Sequence, residues 1–317
     1  MAIKIYLLLS VLFFLLIRIP PPEFLQIYWL LIEFSPRWLV FIPLLFVRWW
    51  QLKVTSLFML VSISVFNVFL VCGFTINTSQ NAPVDESFSM ITFNMGTDVA
   101  QAKQVALVFL EHEPDIMLLQ ESEEKALRDT FPADIGIHCN KGLCVVTRHQ
   151  IEIQDFLSRR DTGSWGTFAA KYSLRVNQCD ISIVNIHPDT PRFTLLAAMK
   201  QPFSGYSQAQ DLYFKRSIDH IRLSSWLDES TVDVVAGDFN TTIHGAMYQQ
   251  YWASFENAFN QAGQGFGMTY HEKGFSTRID HVIHTQELDT LSAEVLSDTG
   301  TSHRPLAARL SLPLRCH

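Results

Sequence analysis

The sequence lacks charge where a water-soluble protein needs it. Val54 to Phe74 contains no Lys, Arg, Asp or Glu, which excludes a water-facing helix. At ~1.5 Å of rise per residue the run matches a bilayer core of ~30 Å and predicts a transmembrane helix. A basic excess is also missing. Lys and Arg total 24 against 31 Asp and Glu, a net charge of −7; the five basic and two acidic residues up to Phe74 give +3 and leave −10 for the remainder. Lys and Arg contacts to phosphate supply much of a nucleic-acid binder's affinity, so an acidic soluble part weighs against that class. No Gly-x-Ser-x-Gly occurs, which removes a common serine-hydrolase signature. There is no thiolate cluster of the kind that holds structural zinc, and no internal repeat or low-complexity tract.

What is present begins with a second apolar run, Ile5 to Ile19, with Arg18 near its end. It lacks the small-residue cleavage pattern of a removable signal peptide and is expected to stay as an anchor. Trp38 to Val47 is shorter, bounded by Arg37 and Arg48, with Trp49 and Trp50 placed like interfacial aromatics, so residues 1–74 are expected to hold two or three transmembrane helices. Arg48 and Lys53 precede the last of these, and no Lys or Arg follows until Lys103. The positive-inside rule then puts everything after Phe74 outside the cytoplasm. Residues 75–86, rich in Asn and Ser at their start, are expected to be a linker, and 87–317 a domain. Four of the five cysteines, Cys139, Cys144, Cys179 and Cys316, fall in that domain. An even count suits an oxidising compartment. Cys139 and Cys144 flank a turn signal, Asn140-Lys141-Gly142, so a local bridge is geometrically open to them, as is the alternative of four free thiols.

Within the domain strands and helices alternate. Ser89–Asn94, Asp115–Leu119, Gly142–Arg148, Val232–Ala236, Arg278–Thr285 and Leu306–Leu312 read as strands, and Thr167–Leu174 with Ile181–Ile186 as an antiparallel hairpin. Asp98–Leu110 and Tyr206–Leu227 read as helices, the second burying a face through Leu212, Ile218, Ile221 and Trp226. This mixture predicts a layered α/β or α+β domain. The central stretch is Val234 to Thr242, VVAGDFNTT, in which a buried strand delivers Asp238 and Asn240 on a turn. Alone, that is an ordinary polar turn. But Asn94, Glu121, His187, Asp238, Asn240, Asp280 and His303 each follow or close an apolar strand, so one sheet end collects two imidazoles, three carboxylates and two carboxamides. Singly these are a turn residue, a solvated acid or a core histidine; packing does not call for them as a set. Carboxylates and carboxamides without thiolates make a hard oxygen site suited to Mg2+ or Mn2+, and such a site beside histidines suits phosphoester hydrolysis.

Seven motifs in order, MITFNMG, DIMLLQE, GLCVVTR, NIHPDTP, AGDFN, RIDHVI and TSHRPL, make residues from Ser87 to Leu312 resemble the endonuclease/exonuclease/phosphatase superfamily of Mg2+-dependent phosphoesterases. The resemblance implies a four-layer α/β/β/α sandwich with the site at one edge. It implies that Glu121 is the principal metal ligand with Asn94 beside it, that Asp238 and Asn240 orient water and phosphate, that His187 contacts phosphate, and that Asp280 holds His303 in its catalytic tautomer. Either Asp238 or His303 is left open as the general base. The family usually has Ser-Asp-His where this chain has Thr301-Ser302-His303, so a carboxylate is missing at Ser302. The membrane-anchored arrangement resembles bacterial members acting on lipid phosphates, including vancomycin-resistance-associated and sphingomyelinase-like ones. The expected enzyme is therefore a Mg2+ (or Mn2+) dependent phosphoric ester hydrolase held at a bacterial inner or cell membrane, extracytoplasmic, with a lipid phosphate or pyrophosphate as substrate. A tethered nuclease and a degenerate binding domain are the alternatives. The stretch PRFTLLAAMKQPFSGY after His187 is either a loop that rests on the membrane or an amphipathic helix packed into the sandwich.

Overall fold

The computed structural model describes residues 2–18, 21–48, 52–77, 86–96, 101–162, 166–200, 206–228 and 232–316. Trp49, Trp50, most of the expected linker, the start of the helix expected from Asp98, and Phe203 lie outside these residues. Two six-stranded sheets carry the domain. The first has the order Thr290–Val295, Leu306–Ser311, Ser87–Asn94, Ile116–Ser122, Gly142–Thr147, Gly136–Asn140; the second has Glu256–Asn257, Asp280–His284, Val234–Asp238, Cys179–Ile186, Thr167–Val176, Ile151–Ser158. Each sheet has one parallel pair at its centre, Ser87–Asn94 with Ile116–Ser122 and Cys179–Ile186 with Val234–Asp238. All other pairings are antiparallel.

Period-two alternation explains how the sheets stack. Phe88 and Met90, Ile116 and Leu118, Ile181 and Ile183, Val234 and Ala236 all point into one buried layer between the sheets. The intervening residues of the first sheet, such as Ile91, Phe93, Met117 and Leu119, bury under helix Gln101–His112 through Val105 and Phe109. Those of the second, Val184, Ile186 and Val235, bury under helix Tyr206–Asp228 through Leu223 and Leu227. The result is the four-layer α/β/β/α sandwich. Gly237 pairs with Ile186 across the second sheet's parallel strands: its φ is 146°, and a Cβ there would lie 2.0 Å from the Ile186 carbonyl oxygen.

The face of Tyr206–Asp228 differs from the expected one. Ile221 is exposed and Leu212, Ile218 and Trp226 are only half-buried, while Tyr213, Arg216, His220, Leu223 and Leu227 face inward. Three polar side chains on the buried face, Arg216, Asp219 and His220, have partners there. Arg216 bonds the Asn240 carbonyl, Asp219 bonds Arg159, and His220 accepts from Trp252. Hydropathy alone therefore rotates the face away from its true position. The cysteines pair as Cys139–Cys144, directly opposite each other across the hairpin, and Cys179–Cys316, which ties the C-terminal turn to the second sheet.

The N-terminal segments form a small bundle. Helix Ala2–Leu16 runs alongside Val54–Phe66 and its π-helical continuation Asn67–Val71. Tyr6 packs on Leu60 and Ile63, Asn67 Nδ2 donates to Tyr6 and Ser10 at 2.9 Å, and Arg18 donates to the Leu70 carbonyl at 3.2 Å. The 3-10 segment Arg37–Phe46 runs the other way, from Arg37 near the Phe13 ring to Leu44 near Tyr6. Among the described residues one continuous helix, Val54–Val71, is long and apolar enough to cross a membrane; Gln26–Glu33 and Arg37–Phe46 reach that standard only together and are bent by 75°. Gln26–Glu33 is turned into the domain, where Ile27 and Leu30 pack on Ala198, Ala209, Tyr213 and Met247.

Candidate active site

The inner-face rows do not stay apolar to their ends. Phe88 and Met90 are followed by Thr92 and Asn94, Ile116 and Leu118 by Gln120, Ile181 and Ile183 by Asn185, Val234 and Ala236 by Asp238, and Val282 is preceded by Asp280. Because the parallel strands end on the same side, these polar residues meet at one end of the inter-sheet layer. The floor is a bridge between the sheets: Gln120 Nε2 donates to Asn185 Oδ1 (2.7 Å) and Thr92 Oγ1 (3.1 Å), and Asn185 Nδ2 donates to the Leu119 and Cys144 carbonyls.

Above the floor the other six expected residues gather in one network around the Asp238 carboxylate. Asp238 Oδ2 accepts from Asn94 Nδ2 at 3.0 Å and lies 3.7 Å from both His187 Nε2 and His303 Nε2. Its other oxygen accepts the Asn240 backbone N–H at 2.9 Å. Asn94 Nδ2 also donates to Glu121 Oε1 (3.1 Å), which is 3.6 Å from His187 Nε2. His303 Nδ1 lies 3.0 Å from Asp280 Oδ2, so Nδ1 carries hydrogen and Nε2 faces Asp238. Asp280 is fixed in turn by Thr269, whose Oγ1 accepts the Asp280 N–H. Asn240 Nδ2 is engaged by the Pro188 carbonyl, so this side chain ties two site loops together. Glu121 (φ 53°) and Asn240 (φ 52°) both sit in the left-handed region, costly for non-glycine residues and concentrated at functional sites.

Burial grades the site. Asp280, Asp238 and His303 are buried, whereas the Glu121 and His187 side chains are partly open and form the mouth. Burial raises the Asp238 carboxyl above the usual range, and neighbouring Asp280 adds to that. Burial opposes charge on His303, but Asp280 and Asp238 outweigh it and hold the imidazole pushed up to about 9. Among the described residues no Lys or Arg comes within 4 Å of these three carboxylates. Asp238, Asp280 and His303 place one donor atom each within 4.8 Å of one another. With Glu121 beside them, three carboxylates in so small a space supply the anionic oxygens that a hard divalent cation takes.

Sequence reasoning passed over the supporting residues. Thr92, Gln120 and Asn185 were legible as polar residues in phase with inward-facing apolar ones. Arg159, which donates to the His187 carbonyl at 2.7 Å and to Asp219, carried no local signal, nor did Tyr270, whose ring meets His303 edge-on at 4.9 Å.

Two sheets packed face to face between helices, with an acid–histidine centre at one end, define the α/β/β/α sandwich class. Residues 91–303 match the model of the Endonuclease/Exonuclease/phosphatase family, and the chain belongs to that family, whose members are generally hydrolases of phosphate esters. No curated protein sequence matches it. Solved structures of the same fold include an endonuclease/exonuclease/phosphatase family protein from Bacteroides thetaiotaomicron (14% identity, 72% of this chain and 96% of that one, TM-score 0.52). A mannosyl-6-phosphatase from the same organism is similar (13%, 71% and 100%, 0.53). So is D. rerio TDP2 in complex with a single-strand DNA product (12%, 71% and 99%, 0.53).

Proposed function

We propose that the chain is a divalent-metal-dependent phosphoesterase, tethered to a membrane with its catalytic domain on the extracytoplasmic side, and that it hydrolyses a phosphate ester carried by a lipid. The convergence of Asn94, His187 and His303 on Asp238, with Glu121 and Asp280 in the same network, carries the catalytic part. Glu121 and Asn94 are the proposed metal ligands; the Asn94 carboxamide would turn end for end to offer the oxygen that now accepts from Gly96. A bound Mg2+ or Mn2+ would neutralise phosphate charge and polarise the ester. Asp238, buried with a raised pKa, is placed to take a proton from the attacking water. His303, kept protonated by Asp280, donates from Nε2 to a phosphate oxygen, and His187 does so from the mouth. Asn240 holds the Asp238 turn against Pro188.

Three observations support the membrane and lipid parts. Large apolar side chains are exposed along Ala2–Leu16, Arg37–Phe46 and Val54–Val71, where a lipid surround would cover them. Two disulfides suit an oxidising compartment. Helix Arg192–Lys200, which forms after His187, packs through Thr194 and Ala198 and leaves Phe193, Leu196 and Met199 outward. An exposed apolar row of this kind, on a domain tied close to a bilayer, suits contact with acyl chains. The test is hydrolysis of detergent-solubilised lipid phosphates and pyrophosphates against single-stranded and duplex DNA at matched Mg2+, with Glu121→Gln as blank. Glu121-dependent turnover fastest on a lipid is expected; faster cleavage of DNA than of every lipid would make the enzyme a tethered nuclease.

A further inference from the structure

A second polar cleft, of about 50 Å3, lies between the end of the Val54–Val71 helix and the far side of the catalytic turns. Val71, Cys72 and Gly73 form one wall, and Arg37, Thr242, His244, Arg278 and Glu33 are among the residues that line the rest, beside apolar Phe266 and Met268. Nη1 of Arg278, Nη1 of Arg37 and Oγ1 of Thr242 are each buried without a hydrogen-bond partner among the described residues. Arg278 and Thr242 are each only 7% exposed. Arg278 stacks on Phe259 and donates from Nη2 to the Asn260 side chain, but no described carboxylate pairs with it. A buried guanidinium without a counter-charge is strongly destabilising, and a bound anion relieves it. Burial accordingly depresses its pKa to about 10, against a smaller opposing effect of the nearby Tyr248.

The one acid in the cleft, Glu33, is already engaged: its Oε1 accepts from Thr241 Oγ1 and from the Thr242 N–H, both at 2.9 Å. His244 is neutral, because burial and the nearby Arg37, Arg18 and Arg278 hold its pKa well below 6.5. The cleft thus carries two guanidinium groups against one carboxylate, which faces Arg37, and three polar atoms without a partner among the described residues.

We infer that this cleft binds a phosphate group, from either an anionic phospholipid headgroup or free phosphate, between Arg37, Arg278 and Thr242. Such a group would be gripped by fixed N–H forks, the geometry in which Arg favours phosphate. It would lie against the reverse side of Thr241–Thr242, directly downstream of the Asp238–Asn240 turn. The headgroup source rests on the membrane reading above; the anion site does not.

Full-length Glu121→Gln protein in neutral detergent with EDTA removes turnover and divalent metal from the measurement. Native mass spectrometry with dioleoylphosphatidylglycerol and calorimetric titration with inorganic phosphate then give binding to the same protein. One saturable equivalent is expected, weakened at least tenfold by Arg37→Gln and by Thr242→Val, and the probe that binds tighter identifies the source. No saturable binding of either probe, or equal binding in the Glu121→Gln parent and in a variant of it with unchanged far-UV circular dichroism, overturns the site. Since no turnover is involved, a protein that hydrolyses nothing gives the same result, so failure of the catalytic reading is distinguishable from failure of this one.

Discussion

The apolar middle and the polar end of the inter-sheet layer are built by the same strands, yet they do opposite things to the fold. In the middle, Met90, Leu118, Ile183 and Ala236 are buried hydrocarbon and stabilise it. Two to four residues further on, Asn94, Glu121, His187 and Asp238 crowd acids and imidazoles into a restricted space. Burial and like charge raise Asp238, a cost the middle of the layer does not carry. The two buried histidines flanking Asp280 show how local this is. His303, facing Asp280 and Asp238, is pushed up to about 9, whereas His281, buried near Arg278 and bonded to the Thr241 carbonyl, is lowered to about 3 by burial and that arginine.

If the two ends differ in this way, substitutions at them should differ in sign. Asp238→Asn should lower turnover by roughly 10^2 to 10^4 while raising the metal-free Tm, since it removes a buried charge beside Asp280; thermal scans in EDTA check the second half. Ile183→Ala should do the reverse, costing about 2–5 kcal/mol of stability by denaturant titration with turnover per folded molecule unchanged.

A finer test uses pH. His303 has a folded pKa above its ordinary 6.5, so its contribution to stability is complete below about 6.5 and is lost as pH rises through about 9. In metal-free protein its imidazole should titrate near 9 by NMR, and Asp280→Asn should lower that midpoint and flatten stability between pH 6.5 and 9. The smallest expected effect is at Ser302, an exposed residue next to His303. If a missing carboxylate weakens metal binding, Ser302→Asp should tighten Mg2+ affinity several-fold by calorimetry, because hard cations gain from added anionic oxygens.

The central strands and the site were readable together because one signal served both: an apolar run with a polar residue at one end. Ser87–Asn94, Val234–Asp238 and Asp280–His284 all carry it. Edge strands do not. Ile151–Ser158 has no fully buried residue, so IEIQDFLS gives little periodicity to find, and Gly136–Asn140 and Thr290–Val295 were missed as well. Contacts between distant segments left no local trace either. Nothing around Glu33 announces a bond to Thr241, and the Cys179–Cys316 pairing joins residues 137 apart in sequence.

The most direct test of the active centre is the rate of phosphate-ester hydrolysis by the full-length protein in detergent, with Mg2+ and with EDTA, for wild type and Glu121→Gln. Turnover that needs Mg2+ and falls by at least two orders of magnitude in Glu121→Gln at unchanged Tm is the predicted result. Equal rates with and without metal, or wild-type turnover in Glu121→Gln, would contradict it and put the chemistry elsewhere in the molecule.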